Sequence, residues 1–141
     1  MGISFSYQVR KFRLPKQSKV VDWILLVSFL EKRIVEDISY IFCDDPFLLK
    51  LNKQYLYHST YTDIITFDYS SNKKLAGEIY ISTERVRNNA ASFESTFEEE
   101  LRRVMIHGVL HCIGYSDKTK RDQLKMRKKE SEYLTLFIEM D

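Results

Sequence analysis

Apolar residues recur along this chain at two periods, and the switches between them mark out its elements. Ile3, Phe5 and Tyr7 alternate with mostly polar neighbours, so residues 2–9 predict a strand. The period changes at residues 17–33, where Val20, Val21, Ile24, Leu25 and Phe29 fall near helical spacing and predict an amphipathic helix. Residues 37–43 (DISYIFC) return to strand character. Asp45-Pro46 then opens a helix through Leu48, Leu49 and Leu51, a capping residue followed by proline in the first turn. Residues 62–69 (TDIITFDY) and 77–82 (GEIYIS) are rich in β-branched and aromatic side chains and predict two more strands. Ser82 is placed to cap a helix reaching about Phe93, and Thr96 with Glu99 three residues later forms a capping box for the next. A last helix is expected from about Thr119 to Phe137.

With one early crossover and then strands followed by helices, this order implies an α+β fold. The expectation is a small mixed β-sheet of about four strands, packed on one face by about five helices. At 141 residues the chain suffices for a single domain, 1–141, with its own core. Its 44% hydrophobic and 30% charged residues are ordinary for a globular protein and exclude the disordered and membrane classes. The apolar run Ile24 to Val27 is far too short to cross a bilayer. Net charge is only +2, but its distribution is uneven. Residues 94–100 (ESTFEEE) are acidic, whereas Lys118, Lys120, Arg121, Lys125, Arg127, Lys128 and Lys129 crowd into one short stretch. Cys43 and Cys112, with no secretory pattern before them, fit reduced thiols and a cytoplasmic location.

The chemistry concentrates in HGVLHCIGYSD, residues 107–117. His107 and His111, four apart on a helix, project from one face and converge on a single point. From Val104 to Ile113 the helix is apolar nearly all round, so two accidental histidines there would need partners for four ring nitrogens. One metal ion accounts for both. Gly114 lets the chain leave the helix, and the turn then returns Asp117 either as a third ligand, the reading adopted here, or as a cap for the last helix. Three protein ligands with a vacant fourth position describe a catalytic site. The spacing is similar to the zinc-protease pattern of zincins, except that Gly108 stands where those enzymes carry the glutamate that acts as general base.

The same stretch resembles the His-Gly-x-Leu-His-x-x-Gly-Tyr-Asp-His signature of the YbeY family of endoribonucleases. DDPFLLKLNKQY followed by TDIITFDY resembles the family's Leu-Asn-x-x-Tyr segment and its Thr-Asp-Val-Leu-Ser-Phe strand, and AGEIYIS its next strand. Met126 and Glu130 also fall where the family's final helix has them. The resemblance implies one zinc ion per chain on a zincin-like helix, with His107, His111 and Asp117 as metal ligands and catalytic residues. It further implies hydrolysis of single-stranded RNA, small-subunit ribosomal RNA 3′-end processing and ribosome quality control, with the small ribosomal subunit as partner. Two positions depart from it. Asp117 stands where the family has its third histidine, and Leu56 where it has an arginine suited to phosphate. Lys53 and His58 are the candidates to supply that charge, and Lys118, Lys120 and Arg121 to follow the RNA backbone. Tyr55, Tyr57, Tyr61 and Tyr115 are candidate stacking surfaces for unpaired bases. The competing readings are a ribosome-associated RNA-binding factor with weak or lost catalysis, and a metallopeptidase-like hydrolase.

Overall fold

Ile38, Tyr40 and Phe42 point one way from their strand, while Cys43 begins a second apolar face, so this strand is covered on both sides. It is β2 (Ile34–Cys43), at the heart of a four-stranded sheet. The computed structural model describes residues 2–55 and 62–141. Along the chain the other elements are β1 (Gly2–Tyr7), α1 (Gln17–Leu30), α2 (Asp45–Tyr55), β3 (Ile64–Asp68), β4 (Lys74–Ser82), α3 (Thr83–Ser92), α4 (Phe97–Ile113) and α5 (Lys120–Glu139). The sheet order is β1-β2-β4-β3; β1, β2 and β4 are parallel, and β3 pairs antiparallel with β4 at the edge. This is the α+β architecture expected, with a mixed sheet of four strands and five helices among the described residues.

Helices cover the sheet unequally. One face carries the main core, where Ile38, Tyr40, Phe42, Ile79 and Ile81 meet Trp23 and Val27 of α1, Met105 and Val109 of α4, and Phe137 of α5. The polar atoms buried there are satisfied: Tyr40 donates its hydroxyl to the Met105 carbonyl at 3.0 Å, and the Trp23 indole donates to the Tyr133 carbonyl at 2.7 Å. The opposite face is not bare, as a one-sided packing would leave it. Leu48 of α2 packs there on Cys43 and Ile65.

Boundaries differ from the pattern where local geometry intervenes. β2 starts at Ile34 rather than 37, because a register shift between Val35 and Asp37 breaks the alternation that would reveal it. α1 stops at Leu30, and Lys32 then takes a left-handed conformation (φ 61°). Ser82 and Thr96 cap α3 and α4 as expected, accepting from the backbone N–H of Arg85 and Glu99. No helix among the described residues is long and apolar enough to cross a membrane.

Candidate active site

α4 lies hard against the sheet because of Gly108. A Cβ there would come within 3.0 Å of two methyl carbons of Ile79 and 3.2 Å of Ile64, so a larger residue fits only if those side chains give way. That contact explains the missing protease glutamate, since position 108 is taken up by packing. Held this close, α4 presents His107 and His111 along a cleft of about 680 Å³ lined also by β3, α3, α5 and the turn after α4. Gly114 makes that turn with φ 126°, a conformation other residues rarely adopt, and the Tyr115 N–H closes it on the Leu110 carbonyl at 3.0 Å. Thr119, not Asp117, caps α5, accepting from the Asp122 N–H at 3.1 Å. The Asp117 side chain is therefore released from the capping role and faces the cleft.

Asp117 Oδ2 lies 3.5 Å from Nε2 of His107. Two donors held about 2.0–2.2 Å from a tetrahedral zinc ion are themselves about 3.3–3.6 Å apart, so this pair fits one edge of such a site. The far side of the same ring is fixed more firmly. His107 Nδ1 sits 2.6 Å from Oε2 of Glu130, a carboxylate only 4% exposed, whose Oε1 accepts from Arg103 at 2.9 Å. Arg103 also donates to the Ser131 hydroxyl at 3.3 Å. A carboxylate beside Nδ1 favours a proton on that nitrogen, and in that tautomer the Nε2 lone pair is left for the cleft, the arrangement that orients histidine ligands of metals. His111 lines the same cleft one turn on, its ring exposed. Among the described residues no three His, Cys, Asp or Glu side chains converge into a complete metal cage. The pair and its buried support are in place; the third donor stands apart.

The cleft is rich in acids. The cleft is lined by the carboxylates Asp63, Glu100, Asp117 and Glu130 against Arg103 and Arg127. Burial raises the Asp63 carboxyl above the usual range, partly opposed by the His107 charge, its own backbone hydrogen bond and Asn89, which donates to it at 3.2 Å. Burial likewise raises Glu100. For His107, burial pushes the pKa down, but the hydrogen bond and charge of Glu130, with Asp117 and Asp63, leave it raised. A cation at Nε2 competes with that proton.

The other sequence candidates fall elsewhere. Lys118, just before α5, and Lys120 and Arg121 at its start are exposed and outside the cleft wall, which takes Gln123, Met126, Arg127 and Glu130 from that helix. Lys53 is exposed on α2, which packs on the opposite face of the sheet. His58, Leu56, Tyr57 and Tyr61 lie outside the described residues. Tyr55 meets Phe67 edge-on, away from the cleft. Tyr115 is engaged, donating to Glu31 at 2.8 Å, and Lys129 of the basic stretch also reaches Glu31 at 3.5 Å. Cys112 is buried, its sulfur beside Gly77, as a packing residue. The pattern passed over Asp63, Asn89, Phe93, Arg103 and, as a supporting acid, Glu130. Arg103 alone left a local trace, four residues before His107 on the same helical face.

The family model described as endoribonuclease YbeY matches residues 4–137. The endoribonuclease YbeY of Flavobacterium psychrophilum is 52% identical over 135 residues, covering 96% of this chain and 96% of that protein. That of Christiangramia forsetii is 52% identical over 126 residues, covering 89% of this chain and 88% of its own. The solution structure of TM1509 from Thermotoga maritima matches with a TM-score of 0.71 at 26% identity, over 96% of this chain and 88% of that one. With the family model matching residues 4–137 and a relative 52% identical over nearly the whole length of both chains, this chain belongs to the endoribonuclease YbeY family.

Proposed function

We propose that this chain is a metal-dependent endoribonuclease that cuts single-stranded RNA in ribosomal RNA maturation. In this reading it works in the cytoplasm on small-subunit 3′-end processing and in ribosome quality control. Relatives named as endoribonucleases support the reaction class. The observation that carries the metal reading is His107, pinned at Nδ1 by buried Glu130 and facing Asp117 across 3.5 Å with Nε2. His107, His111 and Asp117 would hold one zinc ion. When bound, such an ion polarises a phosphoryl oxygen and makes its water a stronger nucleophile.

The chain's own residues prepare that chemistry. Glu130 keeps the Nδ1 proton in place, so Nε2 stays an electron-pair donor, and Arg103 holds Glu130 at its second oxygen. The four cleft carboxylates discourage a polyanion until a cation is present, which couples substrate entry to metal loading. Lys118, Lys120 and Arg121, following Asp117 in sequence, offer phosphate a basic approach. Elemental analysis of the purified protein beside His111→Ala and Asp117→Ala tests the assignment. Stoichiometric zinc lost in both variants, together with chelator-sensitive cleavage of single-stranded RNA, supports it; metal retained in both removes the site.

One observation favours a second reading, an RNA-binding factor with weak or lost catalysis. The third donor does not close on the other two among the described residues. RNA binding without metal uptake or cleavage distinguishes it. The peptidase alternative gains nothing, because position 108 is packed against the sheet.

A further inference from the structure

Phe93 is 56% exposed, yet its backbone is not loose. It terminates α3, its N–H bonded to the Asn89 carbonyl at 2.9 Å, and the Ser95 N–H closes the next turn on the Ala90 carbonyl at 3.0 Å. A large apolar ring is thus held out into water on a fixed support. A lone exposed phenylalanine is unremarkable on most surfaces. This one is in the wall of the cleft that contains His107, His111 and Asp117, and is the sole phenylalanine, tyrosine or tryptophan among the described residues there. The other exposed aromatics, Phe29, Tyr55 and Tyr69, stand outside it.

Arg127 accompanies the ring. Its guanidinium carbon lies 5.8 Å from the Phe93 centroid. Arg103 is committed to Glu130 and Ser131, whereas Arg127 makes neither ion pair nor hydrogen bond among the described residues, although it feels the charge of Glu100. Phe93 and Arg127 also line a smaller adjoining hollow of about 130 Å³. A ring 56% exposed, with a planar cation over it and two hollows alongside, has the chemistry of a nucleotide subsite: the ring stacks a base and the guanidinium meets a phosphate.

We propose that Phe93 and Arg127 form a binding subsite for one unpaired nucleotide of the RNA strand, with the base stacked on Phe93. This rests on the RNA-cleaving reading above and adds a specificity element to it. Stacking requires an open base face, so the subsite selects single strands over duplex without selecting a base.

The test is titration of a fluorescein-labelled single-stranded RNA into the metal-loaded full chain and its variants. Phe93→Ala and Phe93→Leu should both weaken binding roughly five- to 150-fold, the worth of one base–aromatic stack, and raise KM while sparing kcat. Leucine keeps apolar bulk but has no aromatic face, so its loss identifies stacking. Phe93→Trp should restore affinity, and its indole emission should be quenched by RNA; the chain's one native tryptophan, Trp23, is fully buried and should not respond. Arg127→Gln should lower the salt dependence by about 0.7, one phosphate of a single strand. Affinity and KM within twofold of the parent for both Phe93→Ala and Phe93→Leu would overturn the subsite while leaving the nuclease assignment standing. Failure of the parent itself to bind or cut RNA would defeat that assignment, and the subsite with it.

Discussion

Glu31 and Glu130 both tie α5 to the rest of the chain, on neighbouring turns, but the clusters around them differ. Glu31 ends α1 and receives the hydroxyls of Tyr115 and Tyr133 with the ammonium of Lys129. Burial works against its charge, but these donors win, and its pKa is lowered. The acids around Glu130 are less well served. Asp63 and Glu100 share the same cleft and are raised by burial, with Arg103 divided between the carboxylate of Glu130 and Ser131. One cluster is complete, and its role is to close the core behind the Asp117 turn. The other gathers four carboxylates around a histidine whose second ring nitrogen faces Asp117 along the cleft. A folded chain retains such a gathering of acids at a cost, and a cation relieves it.

Mutating the two clusters should therefore break different things. The largest effect is expected from His107→Ala, which removes the one ring held from both sides. Elemental analysis should find zinc reduced to background and RNA cleavage gone, with the fold intact by circular dichroism. Retention of one zinc per chain would show that the cleft charge serves something else. Glu130→Gln comes next. The amide keeps the shape but no longer anchors the Nδ1 proton with a charge, and metal affinity should fall about 10–100-fold, the usual worth of such a support. Stability should also drop, since Arg103 loses its buried counter-charge.

The two clusters were not equally legible from the chain. His107, His111 and Gly114 announce themselves because a helix turns local spacing into shared direction, and Gly108 can be seen as a departure from a familiar pattern. Glu130 lies 23 residues from His107, and no periodicity joins them; the pairing exists only once α5 folds back. Glu31 and Tyr133 are further apart still, 102 residues. Phe93 looked like the end of a helix and nothing more, because exposure is set by tertiary packing. The covered second face of the sheet did leave a trace. Ile64-Ile65 and Phe42-Cys43 are adjacent apolar pairs, which a strand wet on one side would not carry. α2 is what they were waiting for. The start of β2 stayed hidden because a bulge erases alternation at the place where it would be read.

Glu31→Gln should separate stability from chemistry. Replacing the acceptor of two phenols and one lysine should cost about 1–3 kcal/mol in chemical denaturation, with zinc affinity changed by less than twofold if the turn holds. A large fall in metal binding would mean that the cluster positions Asp117 through Tyr115, and the division drawn above would have to be abandoned.

The smallest expected effect is also the sharpest in pH. Tyr115→Phe removes one donor to Glu31 and should cost about 0.5–1.5 kcal/mol near neutrality. Because Glu31 titrates lower in the folded chain than its ordinary 4.5, its ionised form contributes stability above that value. The contribution fades as pH falls through the folded pKa, where the carboxylate takes up its proton. Losing a phenol lets the folded pKa climb back toward 4.5, so the variant has less of this acid-sensitive stability to lose. Denaturation curves of parent and variant should therefore differ most at neutral pH and converge as the solution is acidified below 4.5. A gap that widens toward acid would mean that Tyr115 acts by packing and by its contact with Lys125, and not through the carboxylate charge.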